Sequence, residues 1–439
     1  MAFWKLWLRR GLAIFVLLLV VIASVLAGLL LPYLLAAWSA KIWLLTLSSV
    51  CAFAVIAWGG AWLGALIWRA ERLRKFAGSF SALWSMVFVI ALYVLVLRPH
   101  PLRLTEAIRP DNTRYWRLST GSRIAYNKYD PPAGTPVRSE PILFLHGGPG
   151  MPVGPWDHLL LSPLAESGFR VFLFDQAGCG FSDFLPVRDY TVARAVADVE
   201  AIRQEIGADK IILIGHSWGS TLAANYLAKH PDHVARVVFY SPGPMWNFEE
   251  GQAHVDFSRT DGGAPAFPSL RMLAAWLLLE RNRDAAQNLL PQPEGEELLV
   301  PFIAPAVGTL VCKGDRRQIP PLMRGMSSDH LNPHLNPLVL ASLGLSATNA
   351  ADDPHAALRG NKTPVMILFG ECDYLPWSGA LDYRKTLGNA QAYYIPRAGH
   401  FIVFEQPDLM RRTILSFLFD QPDSMPSYTG DADPRTVNP

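Results

Sequence analysis

Residues 211–220 read IILIGHSWGS, and the reading of this decapeptide decides the fold. Ile211 to Ile214 form an apolar run of strand length, and TLAANYLAKH after it has helical spacing. Between them, Gly215, Ser217 and Gly219 complete the pattern G-x-S-x-G. Glycines on both sides of the serine relieve crowding where a strand turns sharply into a helix, so the hydroxyl stands above the sheet edge. Taken alone the pattern is common by chance, and a turn serine is the ordinary reading. The strand before it and the helix after it favour a nucleophile.

Outward from that turn, short apolar runs alternate with helical segments. Pro141 to Leu145, Arg170 to Phe174, Val234 to Tyr240, Val365 to Phe369 and Ala392 to Ile395 read as buried strands, and Arg114 to Leu118 with Arg123 to Lys128 as a hairpin. Thr191 to Ile206 and PDLMRRTILSFLF (407–419) have helical periodicity. This alternation predicts an α/β protein with a mostly parallel sheet flanked by helices. Ser241 to about Lys362 breaks it, being rich in Pro, Leu and Ala with no strand signal, and reads as a helical cap inserted between core strands.

The N-terminal quarter has a different chemistry. Gly11 to Ala40, Ile42 to Trp68 and Ser79 to Leu97 hold no charged residue apart from the Lys41 that separates the first two. Each is long enough to cross roughly 30 Å of hydrocarbon, and a signal peptide has a far shorter apolar core than the first of them. Lys5, Arg9 and Arg10 precede the first span, and Arg69, Arg72, Arg74 and Lys75 lie between the second and third. The positive-inside bias then puts the N-terminus in the cytoplasm and everything after Arg98 outside. Arg98 and Arg103 weigh mildly the other way.

The expected organisation is therefore a membrane anchor of about three helices over 1–98 and a linker over 99–111. A first core part follows over 112–242, a cap over 243–361, a second core part over 362–420 and a disordered tail over 421–439. Residues 1–110 carry a net charge of +9 and the remainder −7, so the exported part shows no basic face for nucleic acid. Its three cysteines, Cys179, Cys312 and Cys372, allow at most one intrachain disulfide, and spacing alone does not choose a pair.

A serine nucleophile needs a base held by an acid, and in this topology they follow in the order serine, acid, histidine. VMILFGECDYLPW places Asp373 in the loop after a late strand, with Glu371 a rival acid, and AYYIPRAGHF places His400 past the next. A turn aspartate and a capping histidine are the plain alternatives. His216 fits better under the turn than across the site from the hydroxyl. Oxyanion donors are expected from the glycine loop His146 to Gly150, with Gly147 first and Gly148 second, and from the amide of Trp218. No Lys-Ser or Lys-Thr follows those glycines, which sets aside a phosphate loop. No metal or organic cofactor is called for.

HGGPG, DQAGCGFSD (175–183), GHSWGSTLA, Asp373 and His400 together resemble the prolyl aminopeptidase (proline iminopeptidase) branch of the α/β-hydrolases, over about 112–242 and 362–420. The resemblance implies the α/β-hydrolase fold, Ser217, Asp373 and His400 as a triad, Gly147 and Trp218 as the oxyanion hole, and a helical cap. It implies structural roles for Asp175 and Cys179. It also implies cap carboxylates for a substrate amine, yet the cap sequences associated with that role are missing. Glu249, Glu250 and Glu280 are the candidates on offer, with a surface glutamate the plain reading of each. The substrate is expected to be a small peptide or, alternatively, an ester or lipid suited to an apolar cap beside a bilayer. A non-enzymatic membrane sensor is the third possibility, disfavoured because every triad position is filled.

Overall fold

A computed structural model describes residues 2–68, 71–102, 109–246, 267–303, 308–313, 335–346, 353–422 and 425–437. The described chain divides into two compact units. One is Met1–Pro101 with Pro268–Glu294, and the other is Leu102–Phe267 with Gly295–Pro439.

The larger unit is built on one eight-stranded sheet. Its strands are β1 (Arg114–Arg117), β2 (Arg123–Tyr129), β3 (Ile142–Leu145), β4 (Val171–Phe174), β5 (Ile211–His216), β6 (Val234–Tyr240), β7 (Val365–Gly370) and β8 (Ala390–Ile395). Their order is β1-β2-β4-β3-β5-β6-β7-β8, and β1 and β2 are antiparallel to their neighbours while the rest run parallel. Strands β3, β4, β5 and β7 are buried at every position, so their apolar runs lack the polar alternation of a one-faced sheet. The order reverses between β3 and β5, which places the crevice for a ligand beyond their carboxyl ends. The hairpin and every predicted parallel strand are present. This is the α/β-hydrolase fold.

The helices named here are α1 (Ala2–Ala36), α2 (Ile42–Trp68), α3 (Glu71–Leu92), α4 (Pro155–Leu161), α5 (Val192–Ile206), α6 (Trp218–Lys229), α7 (Leu270–Arg281) and α8 (Arg283–Leu289). Thr191 caps α5 by accepting a hydrogen bond from the Arg194 amide, and Gly207 ends it in the left-handed conformation. The described parts of the expected cap are mostly helical, but they are shared between the two units: 268–294 cluster with the N-terminal helices and Gly295 onward with the sheet.

The tail departs from expectation. Residues 425–437, expected to be disordered from their polar composition, pack on the sheet unit. The Tyr428 amide donates to Ala392 O of β8, the Tyr428 ring meets Trp377 edge-on, and Arg384 pairs with Asp431. Composition misses this because the tail buries little apolar surface of its own and is held by hydrogen bonds to other segments.

In the smaller unit α1, α2 and α3 are long and apolar enough to cross a membrane, over Arg10–Ala36, Ile42–Trp68 and, with the following π-turn, Ala77–Leu97. Gly60 and Gly64, the G-x-x-x-G pair, sit against Val20 and Leu17 of α1. A Cβ on Gly60 would overlap Val20, so the missing side chain is what lets the two helices approach.

The structure also chooses the disulfide. Cys312 is bonded to Cys372, leaving Cys179 buried and Cys51 exposed on α2 as free thiols. The bond closes a loop of 60 residues between the inserted segment and the turn after β7. Removing it with Cys312→Ser is expected to cost roughly 2–4 kcal/mol, because the unfolded chain regains the loop's conformational freedom. Thermal denaturation of the variant beside the reduced and oxidised wild type checks this.

Candidate active site

Ser217 follows β5 and opens α6 with φ 52° and ψ −118°, a backbone conformation that costs on the order of 1–3 kcal/mol for a non-glycine residue. Three hydrogen bonds hold it there. Its amide donates to Tyr240 O, and its carbonyl accepts from the amides of Ser220 and Gly243. The flanking glycines are sterically required: a Cβ on Gly215 would meet Gly219 O at 2.5 Å, and one on Gly219 would overlap Leu145 O. G-x-S-x-G is thus the sequence this turn demands.

The loops after β7 and β8 bring the next two residues together. Asp373 is fully buried, and its Oδ1 accepts from the Leu375 amide and from His400 Nδ1, each at 2.9 Å. That bond puts a proton on Nδ1 and leaves Nε2 as the ring's acceptor. Glu371, the rival acid, is engaged instead with the Arg397 amide at 2.6 Å. Ser217, His400, Gly147 and Gly148 line one cavity of about 80 Å³. At about 30 Å³ per water, that is room for two or three waters or a small group. Met151, Pro152, Trp156, Leu310, Tyr374 and Phe401 supply its apolar wall.

Gly147 lies directly against the nucleophile turn, where a Cβ would come within 3.1 Å of Ser217 Cβ and 3.0 Å of His216 Nδ1. Trp218 is completely buried, and its indole donates to Gln176 Oε1. His216 stacks on Tyr240 with centroids 4.1 Å apart, and burial holds its pKa well below the usual imidazole range. It packs under the turn. Glu280 is exposed on α7 in the other unit, while Glu249 and Glu250 lie outside the described residues.

Several positions have partners that a sequence reading does not supply. His146 Nε2 accepts from the Gln176 amide, which leaves the Nδ1 proton for Gly147 O at 3.0 Å. The Gln176 side chain donates through Nε2 to His146 O and accepts from the Trp218 indole, which ties the glycine loop to Trp218 through one side chain. Asp175 accepts from the amides of Val153 and Phe181, and Gly180 leaves it space that a side chain would fill. Glu405 accepts from Gly399 and Cys312, joining the His400 loop to the disulfide segment. Arg435, from the tail, donates to the carbonyls of Asp373 at 2.7 Å and Leu375 at 3.2 Å, and pairs with Asp433. Signals existed for Asp175 and Gln176, which sit in the DQAGCG turn. None marks Arg435, because its role depends on where a distant chain end returns.

Glu200, His230 and His233 bring metal-ligand atoms within 4.8 Å of one another. Glu200 already accepts from Arg203, Gln204 and Tyr226, so a guanidinium supplies the positive charge a cation would bring.

Comparison with known proteins agrees with this architecture. Residues 140–267 match the α/β hydrolase fold family. A proline iminopeptidase of Heyndrickxia coagulans is 37% identical over 135 residues, covering 30% of this chain and 44% of that protein. A 2-hydroxy-6-oxo-6-phenylhexa-2,4-dienoate hydrolase of Burkholderia cepacia is 25% identical over 288 residues, covering 64% of this chain and 88% of that one. The structure of a bromoperoxidase from Bacillus anthracis superposes with a TM-score of 0.50 at 17% identity, over 70% of this chain and all of that one. The chain spans less than half the length of the iminopeptidase it matches. It has the α/β-hydrolase fold, and the nucleophile half of its core is similar in sequence to proline iminopeptidases.

One carboxyl beside the cavity has unusual electrostatics. Asp157, on α4, is 3% exposed; its Oδ2 accepts from the Gly154 amide and its Oδ1 has no hydrogen-bond partner among the described residues. Burial pushes its pKa up to about 8 against an ordinary 3.8, so the folded protein holds a proton there that the unfolded chain releases. From about pH 4 to about pH 8 the folded state therefore binds more protons, and this group's contribution to stability falls as pH rises. Asp157→Asn keeps the shape and removes the titration. Its melting temperature relative to wild type is expected to rise between pH 5 and pH 8, read by paired thermal melts.

Proposed function

We propose that this protein is a membrane-anchored serine hydrolase that releases an N-terminal residue such as proline from small peptides through an acyl-enzyme. The observation that carries the reading is the 2.9 Å His400–Asp373 contact beside a cavity shared with the strained Ser217. Ser217 attacks the carbonyl, His400 Nε2 takes its proton and returns it to the leaving amine, and Asp373 keeps the imidazole in the required tautomer. The amides of Gly147 and Trp218 receive the developing oxyanion. Water then releases the acyl group by the same steps in reverse.

The peptidase choice rests on the 37% identity to an iminopeptidase over the nucleophile half of the core. An ester substrate is the second reading, favoured by the apolar wall of the cavity and by the exposed position of Glu280. Anchoring rests on the three apolar helices and on the basic residues around them. Placement of the sheet unit outside is supported by the positive-inside pattern and by the Cys312–Cys372 bond, which persists in oxidising compartments.

The test is kcat/KM of wild type and Ser217→Ala on a prolyl-amide reporter and a short-chain ester, side by side. Both activities present in the wild type should fall at least about 10³-fold in the alanine variant. Turnover of the ester alone by the wild type overturns the peptidase choice and leaves an esterase.

Arg435 acts at one remove, by fixing the carbonyls on either side of the acid. Arg435→Ala is expected to lower kcat about 10- to 100-fold, since small misplacements of a catalytic group are costly. KM should change little, and Arg435→Lys should recover part of the loss. Steady-state kinetics of the three proteins reads both parameters.

A further inference from the structure

Helix α7 presents an apolar face to its surroundings. Leu270, Leu273 and Leu277 are 51%, 39% and 52% exposed, at a spacing that puts them on one side of the helix. The other side holds Arg271, Met272, Ala275 and Leu279, all buried within the protein. Glu280 and Arg281, both exposed, follow the leucines at the C-terminal end. A soluble helix carries polar residues where α7 carries leucine.

Where α7 is fastened shows what faces those leucines. At its first turn, Arg271 donates to Val96 O in the π-turn that ends the third apolar helix, and it pairs with Glu294, which also accepts from the His100 amide. At its other end, Asn282 donates through Nδ2 to Ala36 O, the last residue of α1. Asn288 donates to Ala40 O in the turn between α1 and α2. Ala36, Leu45 and Ala285 share one small apolar cluster, and Arg281 stands over the Tyr33 ring at 5.9 Å. Arg271 and Asn282 are about 16 Å apart along the helix at 1.5 Å per residue. Both ends are thus bonded to span termini, and these termini emerge on one side because α1, α2 and α3 run up, down and up. The axis of α7 lies along the plane in which the spans end. Trp38 and Trp43, 76% and 64% exposed, mark the same level as headgroup-layer aromatics.

We propose that α7 is an in-plane membrane helix whose Leu270, Leu273 and Leu277 face is seated at the headgroup–acyl boundary of the outer leaflet. This rests on the membrane-anchor reading above and extends it, since part of the insertion between the core strands then contacts lipid as well. On α1, in the turns leading to the end that α7 is bonded to, Leu30, Leu31 and Leu34 are likewise exposed. Glu280 and Arg281 keep one end of the helix at water. An amphipathic helix held this way sinks its apolar side about 5–10 Å below the headgroups.

The test uses the full chain with Cys51→Ala, reconstituted in phosphatidylcholine–phosphatidylglycerol vesicles. Single nitroxide labels are placed at Leu273→Cys and Leu277→Cys, with Leu18→Cys on α1 as a mid-span reference and Val137→Cys as an aqueous one. Power saturation reads collisions with dissolved oxygen and with a water-soluble nickel chelate. Both α7 sites should collide readily with oxygen and at least about fivefold less with nickel than the Val137 site. Nickel collisions equal to those at Val137 overturn the proposal, as do low collisions with both reagents, which would mean that protein covers the leucines. Aqueous behaviour at Leu18 as well would sink the membrane anchor itself, a result distinct from failure at α7 alone.

Discussion

The turn at Ser217 is the constraint on which the sheet unit depends. A non-glycine residue at φ 52° and ψ −118° persists only when its surroundings over-determine it. Here β3, β5 and β6 do so jointly. Leu145 of β3 forbids a side chain at Gly219, and Tyr240 at the end of β6 accepts the Ser217 amide. The carbonyl of Ser217 in turn anchors Gly243, the first residues of the insertion. Strain at one residue is offset by the register of three strands, and Ser217 is left on the wall of the cavity.

Around that turn the structure spends its buried polar groups on position. Trp218, Gln176, His146 and Gly147 form one hydrogen-bonded path, so the glycine loop and the nucleophile turn are linked as well as packed. The acid loop is secured by three unrelated devices: the Cys312–Cys372 bond, the Cys372 amide on Ala398 O, and the Arg435 guanidinium on two carbonyls. A buried carboxylate on a mobile loop would cost desolvation without orienting anything. Fastening the loop from several directions lets one 2.9 Å contact define the imidazole.

The smaller unit is built on three helices long and apolar enough to cross a membrane. Within it the polar side chains of Arg271, Asn282 and Asn288 satisfy carbonyls at the ends of apolar helices and in the turn between α1 and α2, where helix termini leave carbonyls without partners. The same bonds draw residues 268–294 out of the sequence of the insertion and into the N-terminal bundle. Chain order placed these residues with the cap; hydrogen bonding placed them with the three apolar helices.

What the sequence determined by itself is everything whose cause is local. Strand runs, the turn that only Gly-x-Ser-x-Gly fits, the three apolar helices and the order of Ser217, Asp373 and His400 follow from neighbours along the chain. Tertiary structure alone decided that Asp373 rather than Glu371 meets His400, that Cys312 finds Cys372, and that Arg435 returns to brace the acid loop. Each of these joins residues remote in sequence, or decides between near neighbours by the direction a loop faces. Spacing along a chain carries no information about such pairings, because they are set by how the sheet's loops and the chain's ends converge in space.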